Sequence, residues 1–199
     1  MAMTSMSKRE RILQAVLDYL TVHEEGKLTL SNLAVRLDIG KSTIYEYFPN
    51  KETLIRESLK LLIQKNAEAL LEGERHFETQ SFETAFTSHI RRFMEIAEKG
   101  QLLHEFSHHP EIATLPREDK RAIYKEMRES MEKTEKRFEA ILDKGISEGV
   151  LAPLSEQTRL WTIKSLMLGS IIAVSDDDND WDKEALIKDV LEAVKILHR

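Results

Sequence analysis

An all-α fold is what this 199-residue sequence predicts, and three observations carry that reading. Apolar residues recur three and four positions apart along nearly the whole chain. No stretch of strand length alternates apolar and polar residues convincingly. The breaks between segments hold helix caps and helix stops. The expected architecture is an N-terminal head of three helices followed by a C-terminal body of about six.

Taken in order, residues 1–6 are expected to be a disordered N-terminus. Ser7-Lys8-Arg9-Glu10 then has the capping-box order and opens a helix with Ile12, Leu13, Val16, Leu17 and Leu20 on one face, closed by Gly26. Thr29 is a good N-cap for a second helix carrying Leu30, Leu33, Ala34 and Leu37. Asp38-Ile39-Gly40 is a short breaker with one apolar residue to plug the joint. Lys41 to Phe48 forms a third, short helix, ended by Pro49-Asn50. Asn50 can cap a long helix from Lys51 to about Arg75. Ser81 opens the next, which stacks Phe82, Phe86, Ile90, Phe93 and Ala97 on one side. A short segment, Leu102 to His109, is stopped by Pro110, and Pro116 suits the first turn of a helix carrying Ile123, Met127, Met131, Phe138, Ile141 and Leu142 until Gly145 and Gly149 end it. Trp161 to Val174 is almost wholly apolar, with Gly169 permitting a close crossing. Leu186, Ile187, Val190, Leu191, Val194 and Leu197 make the last stripe. No internal repeat or low-complexity linker interrupts the series.

Residues 29–54, TLSNLAVRLDIGKSTIYEYFPNKETL, are the most informative stretch. Two short helices joined by three or four residues form a helix-turn-helix, in which the second helix can enter a DNA major groove while the first braces it. Near the start of that second helix, Lys41 can pair with a phosphate or with the O6/N7 edge of guanine. Ser42 and Thr43 are short and suit close approach, and the threonine methyl can meet a thymine methyl. Tyr45 and Tyr47 can donate to phosphates or pack beneath the helix; both readings are open. Glu46 can accept from a cytosine N4 or face solvent. Lys51 sits at a helix N-terminus, a natural phosphate position. Thr29 completes the DNA-facing set, while Ile44 and Phe48 belong to the core.

The same residues carry a family resemblance. Leu33-Ala34, Ile39, the run Lys-Ser-Thr-Ile-Tyr-Glu-Tyr-Phe at 41–48 and Lys-Glu-Thr-Leu at 51–54 resemble the DNA-binding segment of TetR-type repressors, in register and without gaps. The resemblance implies that Lys41, Thr43, Tyr45 and Lys51 touch DNA. It covers the first quarter of the chain. Asp38 stands where the family usually has glycine, and Gly40 where it usually has serine or alanine. Asp tolerates a left-handed turn and Gly is an acceptable N-cap, so the motif survives both changes. The resulting division is a helix-turn-helix domain over 7–52 and a ligand-binding and dimerisation domain over 53–199.

Composition agrees with that division. There is no cysteine, which excludes a disulfide frame, a thiolate nucleophile and a cysteine-based zinc site. No run of 18 apolar residues and no signal-peptide core is present, so a soluble cytoplasmic protein is expected. The net charge of −6 is unevenly held. Residues 1–56 carry 8 Lys/Arg and 7 Asp/Glu, hence +1, and residues 57–199 carry the other 21 and 28, hence −7. A weakly basic head draws its affinity from focused contacts and dimerisation more than from a bulk field.

Other motifs fit less well. His104-Glu105-Phe106-Ser107-His108 matches HExxH, the basis of a rival reading as a zinc-dependent hydrolase. A zincin also needs a third ligand and a substrate-aligning strand, and no strand is visible. No catalytic residue, metal or cofactor is therefore assigned, and the chain is not expected to be an enzyme. The run Asp176-Asp177-Asp178-Asn179-Asp180 fails as a calcium loop, because Trp181 falls where glycine is required and Ile187 where a bidentate glutamate is required. Gly145 and Gly149 match GxxxG in polar surroundings, which marks a helix end.

A helix apolar on nearly every side, as at 160–174, must be covered on every side. The final helix can supply one cover and a second copy of the chain another. The expected dimer interface is Trp161, Leu168, Ile172, Ile187, Val190, Leu191 and Val194; TetR-like proteins dimerise through their last two helices, so the resemblance implies the same. A homodimer would place two heads on a pseudo-palindromic double-stranded operator. Phe86, His89, Phe93, His104, Phe106, Tyr124, Met127, Met131 and Met167 are the candidate lining of a small-molecule pocket. No Arg/Lys cluster lies among them, which favours an apolar or amphipathic effector. The expected function is a ligand-responsive repressor; a helical scaffold that binds DNA without ligand control is the other alternative.

Overall fold

The computed structural model describes residues 6–21, 28–72, 77–98, 109–174 and 182–197. Among the described residues there are nine α-helices, one short 3-10 turn and no strand. The helices are α1 (Lys8–Thr21), α2 (Leu30–Leu37), α3 (Lys41–Tyr47), α4 (Lys51–Glu72), α5 (Phe82–Glu98), α6 (Pro110–Ala113), α7 (Arg117–Ser147), α8 (Glu156–Val174) and α9 (Lys183–Leu197). Gly26, the HExxH segment with His104 and Phe106, and the acidic run at 176–180 lie outside the described residues, as do the side chains of Met167 and Ile172.

Packing divides the chain into two compact units, Met1–Lys65 with Gln101–Glu129, and Asn66–Gly100 with Ser130–Arg199. Sequence patterning draws a boundary after residue 52; packing groups residues 101–129 with the head. The reason is apolar. The first core gathers Ile12, Leu13, Val16 and Leu20 of α1, Leu33 and Ala34 of α2, Ile44 of α3, and Leu54, Ile55 and Leu59 of α4, and it also takes Leu115 and Ile123. Each buried aliphatic side chain contributes about 2 kcal/mol, enough to hold the later segment in place.

The N-terminal caps anticipated at Ser7, Thr29, Asn50 and Ser81 are present. Ser7 and Glu10 form the reciprocal box: the Ser7 N–H donates to Glu10 Oε2 at 2.8 Å, and the Glu10 N–H to Ser7 Oγ at 3.2 Å. These Ser7 hydrogen bonds hold the Glu10 carboxyl below its ordinary pKa. Two prolines act differently from their expected roles. Pro110 begins α6 at its first position, where its missing N–H costs nothing, and His109 Nδ1 caps that turn by accepting from the Glu111 N–H at 3.2 Å. Pro116 stands just before α7, its carbonyl accepting from the Lys120 N–H at 3.1 Å.

In the second unit α5 packs against α8 and α9. Its core joins Phe82, Phe86, Ile90 and Met94 of α5 to Phe138, Ile141 and Leu142 of α7 and to Ile187, Leu191 and Val194 of α9. Phe86 lies 5.6 Å from Phe138 by ring centroid, and His89 stacks on the same ring at 4.9 Å. The start of α5 is capped twice, by Ser81 Oγ on the Thr84 N–H at 3.3 Å and by Glu148 Oε2 on the Phe82 N–H at 2.9 Å. The second of these, with Lys144 adding to it, lowers the Glu148 pKa. Along the surface Arg91 grips Glu184 with two bonds, 2.8 and 2.7 Å, and Lys183 pairs with Glu98 at 2.7 Å. Exposed pairs of this kind add at most about 1 kcal/mol each, so they set the seating of α9 more than its stability.

The two glycines near the end of α7 have separate tasks. Gly149 takes a left-handed conformation, φ +71°, and its N–H bonds the Ile146 carbonyl at 3.1 Å while the Val150 N–H bonds the Gly145 carbonyl at 2.9 Å. This is a Schellman stop. Gly145, expected to help end the helix, lies inside it and is buried. A β-carbon there would sit 2.8 Å from Phe82 Cδ2 and 2.9 Å from Leu151 Cδ1. Gly145→Ala should therefore lose stability, by up to about 2 kcal/mol, because overpacking of about 1–3 kcal/mol is set against a helix-propensity gain of about 1 kcal/mol. Urea titration checks this; a stabilised variant would mean that Phe82 yields freely.

Candidate nucleic-acid interface

The geometry of the helix-turn-helix follows from its local chemistry. Thr29 is extended (φ −119°, ψ 144°), and its hydroxyl oxygen accepts from the Asn32 N–H at 3.1 Å. Helix α2 ends in a second Schellman motif. Asp38 is left-handed at φ 53°, its N–H donating to the Val35 carbonyl at 3.2 Å and the Ile39 N–H to the Ala34 carbonyl at 3.1 Å. Asp38 is the only non-glycine residue with positive φ among the described residues. Ile39 packs against the first core as the expected plug. Gly40 then caps α3 through its backbone alone, with an ordinary negative φ of −69°. Asn50 Oδ1 accepts from the Thr53 N–H at 2.7 Å and starts α4.

Ile44 and Phe48 are the anchors of α3; both are buried. Lys41, Ser42, Tyr45, Glu46 and Tyr47 are exposed, and Thr43 is half-buried. The two open tyrosines are thereby placed: Tyr45 is 48% and Tyr47 41% exposed, so neither packs beneath the helix. Lys41 Nζ lies 6.0 Å above the Tyr45 ring, which steadies the cation on the outer face. Six of the seven residues named from sequence, Thr29 and those between 41 and 47, are thus on or at the edge of one solvent-facing motif.

Lys51 differs. Its Nζ lies 2.5 Å from Glu111 Oε2, and the other oxygen of that carboxylate accepts from the Leu28 N–H at 2.9 Å. A second buried acid, Asp119, pairs with Arg56 of α4, and this hydrogen bond raises the Arg56 pKa further. Neither acid stands out in the sequence. Their partners are about sixty positions away, and nothing in local spacing marks a carboxylate that will face a distant cation.

The candidate pocket residues with described side chains fall in both units, Tyr124 and Met127 in the first and Phe86, His89, Phe93 and Met131 in the second. Phe86 and His89 are buried about Phe138 in the second unit, and Phe93 is buried on the same helix. Met127 packs against the core of the first unit. Tyr124 and Met131 are exposed. The expected dimer set also separates. Trp161 and Leu168 are 63% and 59% exposed, but Ile187, Leu191 and Val194 are buried in the second unit's own core, against which Val190 also packs. Those α9 residues face inward because α5 and α7 already offer them an apolar surface. Ile196 of α9 is exposed, at 66%. No cluster of His, Asp or Glu suited to a metal occurs among the described residues, and none of their helices is long and apolar enough to cross a membrane.

Comparison with known proteins places this motif. Residues 26–58 match the family model of bacterial regulatory proteins of the tetR family. The chain shares its fold with a TetR-family transcriptional regulator from Vibrio parahaemolyticus at 19% identity and TM-score 0.66, covering 96% of this chain and 97% of that one. It also matches the transcriptional regulator FadR from Bacillus subtilis, solved in complex with stearoyl-CoA, at 19% identity and TM-score 0.66, covering 94% and 97%. A protein described as superantigen PfiT has the same fold at 16% identity and TM-score 0.71, covering 94% and 95%. No curated protein sequence matches the chain.

Proposed function

We propose that this chain, with a tetR-type helix-turn-helix segment in an all-α fold of the TetR kind, is a DNA-binding transcriptional regulator that acts as a homodimeric repressor on a pseudo-palindromic operator. The fold does not decide this, since one fold hosts unrelated functions. The carrying observation is the outer face of α3, where Lys41, Ser42, Tyr45, Glu46 and Tyr47 are exposed while Ile44 and Phe48 anchor the helix from behind. A seven-residue helix with this much polar, hydrogen-bonding surface and a rigid stop on either side is suited to a major groove.

The effector reading stands on different ground. Aromatic and apolar side chains dominate the buried face of α5, and the FadR neighbour holds an acyl-CoA, a molecule with a long apolar tail. We therefore assign an apolar or amphipathic effector. Its action is a population shift: a ligand that binds better to a dimer with its heads wrongly spaced draws protein away from the operator. The long helix α4, which starts at Lys51 beside the reading motif, is the proposed lever.

Selection from a randomised pool of DNA duplexes tests the central claim. The expected product is an enriched duplex with two inverted half-sites about one helical turn apart or a multiple of that, about 10 bp. Absence of any enriched sequence, with the protein folded and dimeric, would remove the regulator reading.

A further inference from the structure

We propose that Glu111 acts as a brake on DNA binding, withdrawing the charge of Lys51 from the phosphate backbone; the inference rests on the DNA-binding reading above. Glu111 is 8% exposed, and both of its carboxylate oxygens are committed. Oε1 accepts from the Leu28 N–H at 2.9 Å, immediately before the Thr29 cap of α2. Oε2 holds Lys51 Nζ at 2.5 Å, immediately after α3 and its Pro49-Asn50 stop. One carboxylate on the short helix α6 thus ties the residue that precedes the helix-turn-helix to the residue that follows it.

The electrostatic consequence is direct. A lysine at the start of α4 would normally offer a phosphate one full positive charge as well as the helix N-terminus. Here a carboxylate sits against that ammonium, and the pair presents a short dipole of zero net charge. A phosphate approaching Lys51 gains attraction from the ammonium and loses most of it to repulsion from Glu111. The carboxylate cannot turn away into water, because it is nearly buried and its second oxygen is fixed by the Leu28 amide. Full engagement of Lys51 by DNA would leave that buried acid without a countercharge, which opposes the exchange. Asp119 repeats the arrangement on Arg56 one and a half turns further along α4, so the segment around α6 neutralises two cations of this helix. Because coupling between two sites is reciprocal, whatever displaces α6 from Lys51 must also change affinity for DNA.

Salt dependence of binding reads the number of phosphate charges neutralised, at about 0.9 log units of slope for each on B-DNA. Binding of the duplex recovered by selection is measured by fluorescence anisotropy across a salt series, with far-UV circular dichroism on every variant. Glu111→Gln keeps an oxygen for the Leu28 amide and removes the charge. It should steepen the slope by about one unit for each bound head and tighten binding at 0.1 M salt by about tenfold per head. Lys51→Ala should change the slope by less than about half a unit per head while Glu111 is present, and by about a full unit in the Glu111→Gln background. A full unit lost in Lys51→Ala alone would overturn the proposal, as would an unchanged slope in Glu111→Gln. The Lys51→Ala arm decides alone if Glu111→Gln does not fold. A wild-type protein that binds no duplex at any salt would instead overturn the DNA-binding reading, and the brake with it.

Discussion

Val194→Glu is expected to unfold the second unit, not to separate a pair of folded protomers. Val194 is 1% exposed and belongs to the cluster that includes Phe82, Phe86, Phe138, Ile187 and Leu191. The substitution removes an aliphatic group worth about 2 kcal/mol of burial and leaves a carboxylate where the surrounding cluster is apolar. Burying an unpaired charge costs several kcal/mol more, or else the group is forced to protonate. A domain is stable by only about 5–15 kcal/mol, so this single change removes most of the margin. Trp161 lies on α8, within the second unit, and its emission reports on that unit. The expected result is a large fall in urea midpoint followed by tryptophan emission. Retained stability together with a halved mass in sedimentation would return Val194 to an interface between copies.

That result bears on what could be read from the chain alone. Local chemistry was legible wherever it acts over a few residues: the Ser7 and Glu10 box, the Thr29 and Asn50 caps, the left-handed Asp38 and the inward Ile44 and Phe48 all stand as anticipated. The stripe on α9 was legible as apolar but not as inward. Core and interface ask for the same residue types at the same spacing, and only the presence of α5 and α7 against Ile187, Leu191 and Val194 separates them. Gly145 differs from its expected role as a helix end for a related reason. A glycine inside a helix looks like a stop until the neighbour that needs its missing β-carbon, Phe82, is known to lie against it. Lys51 reads from its local sequence as a phosphate position, and its partner, Glu111, does not show there because it is distant in sequence. In each case the missing information is a contact between remote segments, which no local pattern encodes.

Trp161→Glu combined with Leu168→Glu should yield a folded monomer that has lost tight operator binding. The two positions are seven residues apart on α8, two turns along one face, and both are largely exposed. Leu160 lies beside them and is also exposed, and a β-carbon built on Gly169 would meet nothing within 4 Å. An apolar helix face left open, with a glycine that admits close approach, is what a second copy of α8 would cover. The substitutions set four carboxylates, two per protomer, into that interface, where they repel and lose hydration. Within each protomer these side chains already meet solvent, so helical content should be preserved. A monomer holds one half-site with a head of net charge +1, and loses the gain from tethering the second contact, about 10²–10⁴-fold in affinity. Sedimentation velocity and anisotropy on the selected duplex read the two effects separately. A double variant that stays dimeric and binds normally would move the interface to another face; one that unfolds would show that α8 is covered within its own chain.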